Sequence, residues 1–277
     1  MLKILTIDDL LDADDEEISE VKSRINLRQA FMSGGRALGQ RVGMTLNEYH
    51  AHLANPQTET CHVCSGSGVF TRKVRSVGGI HASAAHFCRT RLYFDASGAI
   101  APRPNFPLKL NITFSIGHGI HHFVQRAMKT HFGGLEGHSF QEEVKVDLPD
   151  AMVWGSSADV LVDYPFARVL GEVKSIGKEF DKLVAPKPEH LIQAMGIYAN
   201  GLNAPFVSYL YVSKYWPHHT KEFVLPYDPS VFRRWWKKKG SLVEEGLEDG
   251  EPPVADSTKN ECRQCPYGYA CEQNLAV

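Results

Sequence analysis

The residues of this chain best suited to chemistry are Asp159 and the run Glu172-Val173-Lys174. Hard divalent ions such as Mg²⁺ and Mn²⁺ take oxygen ligands, usually carboxylates together with waters and substrate phosphate. Strand alternation would set Glu172 and Lys174 on one face, with Val173 turning its carbonyl toward an ion held by Asp159 and Glu172. The Lys174 ammonium then stands where an attacking water and a scissile phosphate meet, and stabilises the anionic transition state. The ion acidifies its bound water and neutralises charge on the phosphate. An E-x-K tripeptide on its own is most often a solvated strand, so its neighbours decide.

The elements that would carry these residues follow from periodicity. Ser115 offers an N-cap to a helix with Ile116, Ile120, Phe123, Val124, Ala127 and Met128 on one face, ended by Gly133 and Gly134. SFQEEVKVDL, from Ser139, alternates as a strand. ADVLVDY and RVLGEVK are two more short strands joined through Pro165, EHLIQAMGIYANGL is helical and closes at Gly201, and PFVSYLYVSK is an aromatic, β-branched strand. Helix, three strands, helix, strand is the order of an α/β unit with a mixed sheet flanked by helices. Asp159 and Glu172 fall on its hairpin-joined strands, so both carboxylates can reach one ion. Upstream, residues 1–20 read as a solvated lead-in, and Val21 to Val42 as a helix broken at Gly34 and Gly35.

Four motifs stand in sequence: Gly117-HGI-His121, Gly155-SSA-Asp159, Glu172-Val173-Lys174 and Gln193-AMGI-Tyr198. Their order resembles the RecB-like branch of the PD-(D/E)xK nuclease superfamily, in which G-x-x-x-H on a helix precedes G-x-x-D, E-x-K and a helix bearing Gln and Tyr. The second motif departs from the pattern, with three residues instead of two between Gly155 and Asp159. The resemblance implies a restriction-endonuclease-like core and DNA phosphodiester hydrolysis, with Asp159, Glu172, Lys174, Gln193 and Tyr198 as the catalytic set. It places Mg²⁺ or Mn²⁺ on His121, Asp159, Glu172 and the Val173 carbonyl, with Gln193 and Tyr198 bracing Lys174 or touching the DNA backbone. His118 and His122, four apart, are an alternative metal pair.

Six cysteines occur, and close-set cysteines in a reducing compartment usually hold a metal. Cys262, Cys265 and Cys271 form C-x₂-C-x₅-C and need a fourth thiolate, for which Cys88 is the first choice and Cys61 or Cys64 the alternative. This arrangement resembles the iron–sulfur RecB-like nucleases, the CRISPR-adaptation exonucleases and AddB-type nuclease domains among them, which carry one cysteine before the core and three after it. The resemblance implies a 4Fe-4S cluster that tethers the flanking segments, with zinc as the alternative. Cys61 and Cys64, with His50 and His52 upstream, read as a second, structural zinc site or as free thiols.

The chain has 277 residues and a net charge of −2, but the charge is segregated. Residues 1–20 carry −7 and residues 241–256 carry −6, which leaves +11 on the other 241 residues. A phosphate backbone answers to local basic surface rather than to the average. Arg233, Arg234, Trp235, Trp236, Lys237 and Lys238 combine cations with aromatics in the manner of single-strand binders; tryptophans facing the core beneath solvated lysines are the competing reading. Two parts are expected, an accessory region over 1–80 and a nuclease domain over 81–277. The expected partner is DNA, as single strands or duplex ends, with a helicase, recombinase or integrase-like protein as a further partner and no membrane. A cytoplasmic setting in a bacterial or phage-infected cell, in recombination, repair or CRISPR-like adaptation, fits the resemblance. An endonuclease, an RNA-acting enzyme, and a non-catalytic DNA-binding or assembly factor are the rival readings.

Overall fold

The computed structural model describes residues 5–37, 79–99, 108–216, 218–257, 261–262, 265–268 and 271. Cys61, Cys64, His50 and His52 lie outside the described residues. Five strands form one mixed sheet in chain order: β1 (Ser139–Leu148), β2 (Val153–Asp163), β3 (Arg168–Ile176), β4 (Phe206–Ser213) and β5 (Thr220–Pro226). All neighbours are antiparallel except β3 and β4, which run parallel. Parallel neighbours need a crossover, and a helix over 188–202 supplies it. The other described helices are α1 (Ile7–Asp12), α2 (Asp15–Arg24), α3 (27–37), α4 (Arg89–Ala96), α5 (Leu108–Phe132) and, after the crossover helix α6, α7 (229–249). Strand β4 is buried along its whole length, as an interior strand with covered faces must be.

Three expectations about helices change. The acidic lead-in is helical: Thr6 and Asp9 form a capping box on α1, and Asp14 caps α2 through the Glu17 amide at 2.8 Å. Acids suit these first turns because they face the positive end of the helix dipole. The break expected at Gly34 and Gly35 falls instead at Ile25–Asn26, and α3 runs through both glycines. The Glu222 carboxylate of β5 accepts the Leu27 and Arg28 amides at 2.9 and 3.0 Å, a cap supplied from across the fold. Finally, α5 is already helical at Leu108, upstream of the expected N-cap at Ser115. Its buried stripe of Val124, Ala127, Met128 and Phe132 packs toward β1 and β3.

Gly34 is there because α3 and α5 touch. A Cβ at Gly34 would fall 1.7 Å from the Ala127 carbonyl oxygen, an overlap that only backbone movement relieves. Gly34→Ala is therefore expected to destabilise the protein by roughly 2–3 kcal/mol, read as a lower urea midpoint, whereas Gly35→Ala, with only the Phe123 ring 3.9 Å away, should change little. Equal effects of the two would refute this packing argument.

The described part of the expected accessory region is packed on the sheet: Leu27 is fully buried, Leu5 bridges Ala167, and Ile80 bridges Val153. Among the described residues no helix is long and apolar enough to cross a membrane.

Candidate metal centre and active site

Two registers decide where the acids meet. Between β1 and β2, Glu142 faces Val160 and Val144 faces Ala158; between β2 and β3, Val160 faces Gly171. Extending both puts Glu143, Asp159 and Glu172 in one row across three strands. Regular β2–β3 pairing ends at Val160 and Gly171, and Asp159 occupies the gap, its Oδ2 accepting the Val173 amide at 2.7 Å. The expected contribution of Val173 was its carbonyl; the hydrogen bond seen uses its N–H.

Helix α5 completes the row from above. His121 and Gln125 are four apart and so share a face. His121 Nε2 lies 2.8 Å from Asp159 Oδ2. Buried Gln125 donates to the Asp159 carbonyl at 2.9 Å and to Glu143 Oε1 at 2.7 Å. One ligand atom each from His121, Glu143 and Asp159 lies within 4.8 Å of the others, a separation one divalent ion can span. Glu143 was missed from sequence. Its φ of 50° is strained for a side chain larger than glycine, and such strain persists where surrounding contacts impose it.

Glu172 lies beside this group rather than in it. It is fully buried, and the Lys174 ammonium touches its Oε1. Neither carboxylate oxygen has a hydrogen bond of regular geometry, so despite that close ion contact the group is under-satisfied. A buried, under-satisfied carboxylate next to His121 and Asp159 is what a cation would relieve, and the donor set of carboxylates and one imidazole fits Mg²⁺ or Mn²⁺. Burial first, then the Asp159 charge, pushes the Glu172 carboxyl up to about 7, against the pull of Lys174. Burial alone would lower both His121 and Lys174, but neighbouring carboxylates outweigh it and raise both.

A carboxyl raised on folding stabilises the fold below its unfolded pKa, and that stability is lost as pH rises through the folded value. The raised His121 acts in the same direction. A bound ion offsets the loss, and protons compete with it at lower pH. The rise in Tm produced by Mn²⁺ should therefore be larger at about pH 8 than at about pH 6; equal rises in scanning calorimetry would count against a metal on these groups.

Gln193 and Tyr198 meet each other and not Lys174: the Gln193 amide donates to the Tyr198 hydroxyl at 3.1 Å, with both residues buried. They are five apart, and the stretch Leu191–Tyr198 is π-helical, a geometry that aligns positions five apart. Burial first, then the Glu172 charge, raises the Tyr198 phenol, which stays protonated. Near Lys174 the structure instead places Tyr211, its strand partner on β4, whose hydroxyl accepts the Lys187 amide at 3.1 Å and lies 2.8 Å from His190 Nδ1.

The tryptophans of α7 are corrected. Trp235 is 3% exposed and donates its indole N–H to the Ala85 carbonyl at 2.9 Å. Trp236 stacks on Phe232 at 6.2 Å and packs against the core. Trp235 is committed to folding and presents no stacking face to DNA, whereas Trp236 is half-buried with one face on Phe232. Arg233, Arg234, Lys237 and Lys238 are exposed.

Cys88 opens α4, and the chain returns to it after α7. The Arg89 amide donates to Asp256 at 2.8 Å, Thr90 to the Pro253 carbonyl at 2.7 Å, and Tyr267 to Asp95 at 2.9 Å. These contacts bring the C-terminal cysteines near Cys88, close enough for neighbouring thiols to be felt at Cys265 and Cys271. Burial first, then the charges of the other three thiols, raises Cys271; Cys265 is raised by burial and by Cys88 and Cys262.

No protein-family model matches the chain, and no curated protein matches it. Among solved structures, it is similar to that of SSO0001, at 16% identity over 70% of this chain and 86% of that one, with a TM-score of 0.40. It is also similar to an alkaline exonuclease, LHK-Exo from Laribacter hongkongensis, alone and in complex with dAMP, in both cases at 16% identity over 63% of this chain and 90% of that one, with a TM-score of 0.47.

Proposed function

We propose that this protein is a metal-dependent deoxyribonuclease that hydrolyses phosphodiester bonds, acting as an exonuclease on single strands or duplex ends in recombination, repair or CRISPR-like adaptation. The observation that carries the reading is the row of Glu143, Asp159 and Glu172 across three strands, with His121 above it and Lys174 beside it. Asp159, Glu143 and His121 would hold Mg²⁺ or Mn²⁺, with Glu172 as the further carboxylate. When bound, the ion supplies charge neutralisation and a more acidic water. The Val173 amide holds Asp159 Oδ2 in place, while Gln125 ties the Asp159 backbone carbonyl to the Glu143 carboxylate. Lys174, kept cationic by its carboxylate neighbours, offers a positive charge to a phosphate oxygen. The test is cleavage of labelled DNA with Mn²⁺ by wild type and Lys174→Ala. The variant should be slower by roughly 10²–10³-fold with little change in Kd for DNA; an uncut substrate with wild type would overturn the reading.

The same proposal assigns Cys88, Cys262, Cys265 and Cys271 to a 4Fe-4S cluster. Burial first, and then neighbouring thiol charge, disfavours the thiolate at Cys265 and Cys271, and a cationic centre would reverse the sign of that interaction.

A further inference from the structure

Beside Lys174, at the end of β3, a cavity of about 360 Å³ is walled by Lys174, Lys178, Lys187, Glu179 and His190 among others. Three lysines against one carboxylate give it a positive balance. Lys187 is paired with Glu179 at 2.8 Å. The Tyr211 hydroxyl, which accepts the Lys187 amide, also lies 2.8 Å from His190 Nδ1. Burial first, then Lys174 and Lys187, pushes His190 down to about 3, so it enters the cavity wall as a neutral imidazole.

The turn after β4 carries two large aromatics, and Tyr215 reaches the cavity lining at Gly177. A Cβ at Gly177 would lie 3.7 Å from the Tyr215 hydroxyl. Tyr215 is 58% exposed and Trp216 61%. Their turn is not loose. The Tyr215 and Trp216 amides both donate to Ser213 Oγ, at 3.3 and 3.1 Å, and the His219 amide closes on the Trp216 carbonyl at 2.7 Å. Lys214 ties the turn to β3 through its amide and the Ile176 carbonyl at 2.8 Å, and to α5 through its ammonium and the Thr113 carbonyl at 3.3 Å. Two adjacent exposed rings on a hydrogen-bonded turn beside a basic cavity are unfavourable unless something covers them, and their flat faces match those of unpaired bases.

We propose that Tyr215 and Trp216 form a stacking lip for the unpaired bases of a single DNA strand whose phosphates enter the cavity beside Lys174. This rests on the nuclease reading and deepens it, because it makes the site selective for unpaired ends. Paired bases present edges and not faces, and a duplex must fray before it can use the lip.

The test is fluorescence anisotropy in EDTA, which withholds the ion needed for cleavage, with a labelled oligo-dT strand and an abasic strand of equal length. Wild type should bind oligo-dT roughly 10- to 100-fold more tightly than the abasic strand. Tyr215→Ala/Trp216→Ala should lose most of that preference without a lower Tm, since both rings are exposed, and Tyr215→Phe/Trp216→Phe should retain it. A double-alanine protein that keeps the full preference overturns the lip. Wild type that cuts oligo-dT with Mn²⁺ yet binds both strands equally overturns the lip alone, whereas wild type that neither cuts nor binds overturns the nuclease reading and the lip together.

Discussion

Asp159→Asn is expected to slow DNA cleavage by roughly 10³-fold or more and to abolish the stabilisation by Mn²⁺, while leaving the protein folded. Asp159 Oδ2 is the point on which the arrangement converges, taking the Val173 amide at 2.7 Å and His121 at 2.8 Å. Asparagine keeps an oxygen for the Val173 amide, so the gap between β2 and β3 stays filled. It removes the negative charge that raises both His121 and Glu172. Both shifts should then shrink, and the remaining groups hold a dication less well. Titration calorimetry with Mn²⁺ reads the affinity, and labelled-strand cleavage reads the rate. Retained metal binding with near-normal cleavage would mean that the ion sits elsewhere. Glu143→Gln should weaken Mn²⁺ in the same assays, since Glu143 supplies one of the three clustered ligand atoms.

The contrast between Asp159 and Glu143 shows what the sequence discloses and what it hides. Strand alternation places Glu172 and Lys174 together, and hairpin succession brings Asp159 across from Glu172, so the heart of the site is legible from spacing alone. Glu143 is hidden because it is the second of two adjacent acids on an edge strand whose alternation predicts a solvated face. Only its left-handed backbone and the joined registers turn it to Asp159. The Gln193–Tyr198 pair is obscured for a related reason: periodicity assumes an α-helix, and a π-helical segment moves residues five apart onto one face. Trp235 misleads by composition, because cations beside aromatics look the same whether the ring stacks on bases or is buried with its indole N–H on the Ala85 carbonyl. The aromatics at 215 and 216 give no such signal in the sequence, where they sit in an ordinary turn between strands.

The proposed cluster makes the second large prediction. Cys88→Ser should lower Tm by roughly 10–20 °C and strip iron and sulfide from anaerobically purified protein. Cys88 and Cys262 enclose roughly 170 residues, and cross-linking a loop of that length removes about 5 kcal/mol of unfolded-chain entropy; for a chain of this size each kcal/mol is about 2–4 °C. The Arg89–Asp256, Thr90–Pro253 and Tyr267–Asp95 contacts remain in the variant, so α4 and the returning chain stay in register while the fold is weak. The effect should therefore appear as a lower melting point and faster proteolysis after residue 257, rather than as loss of the sheet. Thiol chemistry separates this clamp from ordinary packing: a serine in place of Cys88 is nearly isosteric, so a packing role alone predicts little change. Iron retained at wild-type level with an unshifted Tm would remove Cys88 from the cluster and leave its nearness to Cys265 and Cys271 as crowding alone.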